Sequence, residues 1–260
     1  MSTPIELDEN STTILAEGRR ILNAAAQNHV NIRWMGAGAI ATHSPRFRYL
    51  LKETGRRLTD LDFMGSSKDF DRMQGLLEPL GYQPMRWVGE AYTVGERSIY
   101  VHGTTGIKID IFFDQLKMCH TIDFRKRLDA DPLTISLADL LLEKMQIVRI
   151  NEKDIIDTIV LLSEHDIGKN DNETINVDYI SNLLSQDWGF YYTVTTNLNK
   201  IKDYPSKYPG LAPENMENVR GKVDEILQAI ETRPKSSSWK FRARIGTRKK
   251  WYVDVEEMIR

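Results

Sequence analysis

The stretch "RRLTDLDFMG", residues 56–65, sets Asp60 and Asp62 one residue apart in an otherwise apolar run. In a strand, successive side chains point to opposite faces, so both carboxylates project from one face while Leu61 enters the core from the other. Two like charges at that spacing repel each other unless water solvates them or a cation neutralises them. A hard divalent ion with oxygen ligands fits best, and magnesium is the natural candidate. The plain alternative is an exposed edge strand whose charges discourage aggregation.

A second run with the same alternation narrows the choice. "IKIDIFF", residues 107–113, points Ile107, Ile109 and Ile111 one way and Lys108 and Asp110 the other. On a neighbouring strand it would bring a third carboxylate to the first two. Three such groups can hold two metal ions roughly 3.5 to 4 Å apart, an arrangement that activates an attacking oxygen and steadies a leaving phosphate oxygen. Upstream, "WMGAGAIATH" places Gly36, Ala37 and Gly38 between an apolar strand and a helix start. Small residues there let backbone N–H groups approach a phosphate at the positive end of the helix. The same residues would also serve a turn that only eases packing.

The rest of the chain reads as an α+β protein. With 260 residues and 41% hydrophobic content it can bury one large core or two modest ones. The formal charge of −2 argues against a protein built as a whole to coat nucleic acid or an anionic membrane, so any such contact must be local. A single cysteine, Cys119, excludes an intrachain disulfide. The amino-terminal "MSTPIELDEN" has no basic or apolar leader pattern, and no run approaches 18 apolar residues, so a cytoplasmic setting without membrane is expected.

Helical periodicity covers about residues 11–28, and strands are expected at "HVNIRWMG" and "LTDLDFM". "DFDRMQGLLEPLGY" reads as an amphipathic helix, and "RSIYVHG" with "IKIDIFF" as a hairpin around Gly103 and Gly106. From residue 133 the pattern turns helical, with "TISLADLLLEKMQIVRI" followed by "NEKDIIDTIVLLSEHDIG", a helix expected to end near Gly168. The polar "KNDNETIN" suggests a boundary. Residues 176–232 are expected to be mostly helical, with Pro213 in a helix's first turn. In the tail, Trp239, Phe241, Ala243 and Ile245 alternate with Lys240, Arg242 and Arg244, which predicts a terminal β-hairpin turning near Gly246.

The order "MGAGA", "TDLDF", "IKIDIFF" resembles the pattern of the nucleotidyltransferase superfamily that includes DNA polymerase β, and particularly its AbiEii-type branch. That pattern is a glycine and small residue after a hydrophobic one, then Asp-x-Asp on a strand, then a third Asp on another strand. In the AbiEii-type branch a helix lysine and an acidic D-x-x-D segment follow, and "LADLLLEKMQIVRINEKDIIDTIVLL" is similar, with Lys144, Asp154 and Asp157 at those places. The resemblance covers residues 30–165. It implies a nucleotidyltransferase-like mixed sheet with flanking helices in a catalytic domain over residues 1–168. A mostly helical region ending in the hairpin, residues 175–260, would follow.

It also implies a site. Asp60, Asp62 and Asp110 would bind magnesium, with two ions accommodated, and Asp110 would also take the acceptor's proton. The backbone of Gly36, Ala37, Gly38 and Ala39 would face the phosphates of a nucleoside triphosphate, and Lys144 would offset charge as pyrophosphate leaves. The arginine before the aspartates is Arg57 or its neighbour Arg56, and Asp154 and Asp157 would complete the nucleotide site. Gly38 stands where the family commonly has Ser or Thr, so a hydroxyl contact to a phosphate is absent there. The acceptor implied is a tRNA, a protein or a small hydroxylated compound, and the alternative is a non-catalytic nucleotide- or RNA-binding module on the same fold.

Other residues have plainer readings. Asp154 suits the first turn of a helix, where the dipole favours a carboxylate. His43 follows the glycine turn but suits a helix end as well, and His102, His120 and His165 show no metal-ligand spacing with Cys119. The tail carries eight basic residues and no acidic ones between Arg233 and Tyr252, interleaved with aromatics. That composition suits RNA or a triphosphate, against the simpler reading of an aromatic face packed on the domain.

Overall fold

A computed structural model describes residues 7–85, 96–203 and 211–255 of the chain. The fold is α+β, and the chain divides into two compact units. One comprises Met1–Leu116 with Ile122–Ser136, and the other comprises Lys117–Thr121 with Leu137–Arg260.

The first unit is a five-stranded mixed sheet in the order β1-β2-β5-β4-β3, built from β1 Ile32–Met35, β2 Asp60–Gly65, β3 Tyr82–Pro84, β4 Arg97–His102 and β5 Lys108–Phe113. β2 and β5 run parallel, and the other pairings are antiparallel. Helix α1, Glu9–Gln27, starts where the Asp8 carboxylate accepts from the Ser11 N–H. It buries Ile14, Leu15, Gly18, Ile21, Leu22 and Ala25 in the stripe its 3.6 periodicity predicts. Helix α2, Gly36–His43, stops before Pro45 as expected, and α3, Tyr49–Glu53, and α4, Phe70–Leu77, follow it.

One face of the central strands is core: Leu61, Phe63, Ile109, Ile111, Phe113 and Tyr100 are buried. Trp34 of β1 stacks on Phe63 with ring centroids 6.1 Å apart. A Cβ on Gly38 would lie 2.5 Å from the Trp34 ring, so this glycine is required by packing. The hairpin of β4 and β5 turns through residues 103–107, closed by the Gly106 N–H on the His102 carbonyl at 3.0 Å.

The second unit is mainly helical. It contains α5 Leu137–Met145, α6 Glu152–Glu164, α7 Val177–Leu184, α8 Trp188–Asp203, α9 Pro213–Thr232 and α10 Ser237–Ile245. Helix α9 begins with Pro213 in its first turn and buries Met216, Val219, Val223, Ile226 and Ile230. Lys222 donates to the carbonyls of Leu162 and His165 at 3.0 and 2.8 Å, satisfying the last turn of α6. Asn197 of α8 donates to the carbonyls of Met145 and Ile147 at 2.9 and 2.8 Å, which pins the end of α5.

Two local expectations are corrected. The helix expected to reach Gly168 stops at Glu164; after the short strands β6 Gln115–Lys117 and β7 Thr121–Asp123, the next two, β8 Asp166–Gly168 and β9 Thr174–Asn176, pair in parallel. In the polar "KNDNETIN", residues 169–173 connect these two strands and residues 174–176 form the second. The terminal β-hairpin is not formed. Ser236 caps α10 by accepting from the Trp239 N–H at 3.2 Å, Gly246 closes it, and a 3-10 turn, Gly246–Arg248, follows. Trp239, Arg242, Ala243 and Ile245 are the half-buried positions, a helical spacing that overrides the apparent alternation.

Candidate active site

The carboxylates of the first unit meet through strand register. Asp62 is the direct partner of Asp110 across the parallel β2 and β5 pair, and Asp60 stands opposite Lys108. Neighbouring strands lie ~4.8 Å apart, so Asp62 and Asp110 are side by side on one face, with Asp60 two residues along it. All three are half-buried, while Leu61 and Ile109 between them are fully buried on the reverse side. The sheet thus turns its apolar face to the core and carries these carboxylates on the other face.

The glycine turn reaches the same place. Met35 pairs with Asp62 at the end of β1, and Gly36 follows with φ +72°, a left-handed conformation that disfavours any side chain. A Cβ on Gly36 would sit 2.8 Å from the Asp62 Oδ2, so backbone and carboxylate approach more closely than any other residue would permit. Helix α2 starts here, and its N-cap residue Met35 makes no side-chain hydrogen bond. Ala37 is half-buried, and Gly38 and Ala39 are buried.

Arg97 was missed in the sequence. From β4 its Nε donates to the Asp110 Oδ1 at 2.9 Å, and Nη2 lies 2.8 Å from the same oxygen, while the guanidinium sits 5.0 Å from the Phe112 ring centroid. The signal was available, because alternation along "RSIYVHG" puts Arg97 and Ile99 on one face, and the register turns that face into the one carrying Asp110. Arg57 is exposed and Arg56 half-buried, and the Arg56 guanidinium donates to the Arg57 carbonyl. His43 bonds Thr134 Oγ1 at 2.8 Å and lies 3.5 Å from Asp131. Burial alone would raise the Asp131 carboxyl, and the His43 bond with the N–H groups of Leu133 and Thr134 outweighs it, so its pKa falls below the ordinary value.

Lys144, Asp154 and Asp157 belong to the second unit and come together there. Lys144 Nζ lies 3.3 Å from Asp154 Oδ1 and 3.1 Å from Asp157 Oδ2. Lys144 and Asp154 are 7% exposed and Asp157 is fully buried. The Asn151 side chain caps α6 by accepting from the Asp154 N–H at 3.0 Å, and the second Asp154 oxygen is buried with no hydrogen-bond partner.

No family model matches the chain, and no curated protein matches it. Among solved structures, an antigenic nucleotidyltransferase-like protein from Paracoccidioides brasiliensis aligns over 91% of this chain and 98% of its own, at 14% identity and a TM-score of 0.40. The antibiotic-resistance factor ANT(2'')-Ia in solution aligns over 85% and 96%, at 14% identity and a TM-score of 0.37. The same factor in complex with adenylyl-2"-tobramycin aligns over 89% and 98%, at 12% identity and a TM-score of 0.35.

Proposed function

We propose that the chain is a magnesium-dependent nucleotidyltransferase that moves a nucleoside monophosphate from a triphosphate to an acceptor hydroxyl. The observation that carries this is the register that sets Asp62 beside Asp110, with the Gly36 backbone against Asp62.

The donor set suits a hard cation: three carboxylates on one sheet face, and a glycine cradle that any Cβ would fill. Asp60, Asp62 and Asp110 are the residues that would hold magnesium, which when bound supplies charge neutralisation for the phosphates. The N–H groups of residues 36–39 orient the triphosphate at the start of α2. Asp110 accepts the proton of the attacking hydroxyl once its Oδ1 is released from Arg97, and the freed guanidinium is then available to a phosphate oxygen. For Lys144 we propose the role of offsetting charge on the departing pyrophosphate, with Asp154 and Asp157 setting its position, and for Arg57 a contact to the nucleotide. In functional terms residues 1–168 would carry the transfer, and residues 175–260 would select the acceptor.

The Arg97 ion pair also favours a second reading, in which Asp110 is committed to a structural pair and the fold binds nucleotide without turnover. Incubation with α-phosphate-labelled triphosphates and three acceptor pools separates the two, the pools being total RNA, cell protein and polyhydroxylated small compounds. Transfer of label to one pool by the wild type, abolished in Asp62→Asn, is the expected result. Label transferred equally by Asp62→Asn would overturn the site, and no transfer to any pool would leave the binding module.

A further inference from the structure

We infer that α10 and the 3-10 turn after it form a docking surface for single-stranded nucleic acid. Between Arg233 and Lys250 the chain has eight basic residues, and no acidic residue lies between Glu231 and Asp254, in a protein whose overall charge is −2. Lys250 pairs with Asp254, and the other seven cations fall into two groups. Arg242 turns inward, donating to the carbonyls of Gly246 and Lys249 at 2.7 Å each with its guanidinium 4.8 Å from the Trp188 ring centroid. Lys235 donates to the carbonyls of Ile230, Glu231 and Arg233, closing the end of α9, and Arg233 donates to the Asn182 side chain. These three build the module.

Lys240, Arg244, Arg248 and Lys249 point outward. All four are exposed, and among the described residues none has an acidic partner. Lys240 and Arg244 are one turn apart on the outer face of α10, and Phe241 stands beside that pair with 67% of its surface exposed. An exposed phenyl beside exposed cations is a stacking surface for a base with phosphate contacts next to it. The platform is held from below by the stretch that follows it: Trp251 Nε1 donates to Thr193 Oγ1 at 3.1 Å, and the Val253 N–H donates to the Cys119 carbonyl at 3.1 Å.

Two properties of the surface select its occupant. A duplex hides its base faces, so a stacking phenyl is useful only to an unpaired strand. Surface binding to an anionic membrane needs a broad apolar face, and α10 offers one exposed aromatic among Ser237, Ser238, Lys240 and Arg244.

The test is fluorescence anisotropy with the full chain, using 12-mer oligo(U), 12-mer oligo(dT) and a 12-base-pair duplex at several salt concentrations. Anionic vesicles of phosphatidylserine and phosphatidylcholine are assayed in parallel by co-sedimentation. The expected result is binding of one or both single strands, weakened about tenfold by Phe241→Ala. Lys240→Gln with Arg244→Gln should lower the slope of log affinity against log salt by about 2. Neither variant removes a buried contact, and circular dichroism confirms that each is folded. The inference is overturned by no oligonucleotide binding up to about 100 μM at low salt. Equal affinity for duplex and single strands, insensitivity to Phe241→Ala, or stronger capture by vesicles would also overturn it. The inference does not rest on nucleotide transfer: Asp62→Asn should bind the oligonucleotides as the wild type does, and loss of binding there would move the strand to the aspartate face instead.

Discussion

The two acidic clusters of this protein handle charge in opposite ways. On the sheet face, Asp60, Asp62 and Asp110 are half-buried and gathered by backbone register, and Arg97 answers Asp110. Between α5 and α6, Asp154 and Asp157 are buried and share one lysine within 3.3 Å. A buried carboxylate without its cation is costly, so the second cluster carries its countercharge within the fold. A half-exposed carboxylate keeps part of its hydration, so the first cluster loses less than a buried one would when a countercharge is removed. Partial exposure leaves the first cluster reachable from solvent, whereas burial with an internal partner is equally the mark of a structural element.

The largest effect expected from this contrast is at Lys144. Lys144→Met strands two buried carboxylates and should cost about 3–5 kcal/mol in urea denaturation. A loss below about 1 kcal/mol would mean that the two buried carboxylates do not depend on Lys144 for their countercharge, and the contrast would fail.

The second unit's dependence on internally satisfied polar groups is also tested by pH. Burial pushes the His120 imidazole down to about 4, against an opposing pull from Asp187, while its ring accepts or donates at Thr193 Oγ1 over 2.8 Å and stacks on Phe190. The neutral ring is favoured in the folded state, so this contribution is complete above pH 6.5 and is lost as pH falls towards 4. Its size is on the order of 3 kcal/mol. Denaturation midpoints at pH 7 and pH 4.5 should diverge more in the wild type than in His120→Gln, and equal divergence would contradict the assignment.

On the sheet face the effects are smaller in stability and larger in function. Gly36→Ala places a Cβ at φ +72° and 2.8 Å from Asp62, which should cost about 1–2 kcal/mol and weaken triphosphate binding. Normal binding in that variant would show that the turn does not approach the ligand. Asp62→Asn should change stability by less than about 1 kcal/mol, since it removes one of two adjacent like charges. A loss comparable to that of Lys144→Met would erase the distinction between the clusters.

Much of the sheet was legible because a period of two is a strong signal: the alternation at residues 60–63 and 107–111 put the aspartates on one face before any pairing was known. What alternation could not supply was register, and so neither the pairing of Asp62 with Asp110 nor the reach of Arg97 from β4 was readable. The Gly36 turn was readable as small residues, but only the fold separates Gly36, which borders Asp62, from Gly38, which makes room for Trp34. The tail shows where periodicity misleads. Trp239, Phe241, Ala243 and Ile245 alternate, yet Ser236 caps a helix and Gly246 ends it, and the cap decides over so short a span. Strands β8 and β9 are three residues each, too short for any periodic pattern.

The most direct test of the central claim is calorimetric titration of the four nucleoside triphosphates, with and without magnesium, into the wild type and an Asp60→Ala, Asp62→Ala double variant. Binding of at least one triphosphate that needs both the metal and the two aspartates is the result this account predicts. Binding that persists without magnesium or in the double variant, or no binding of any triphosphate, would contradict it.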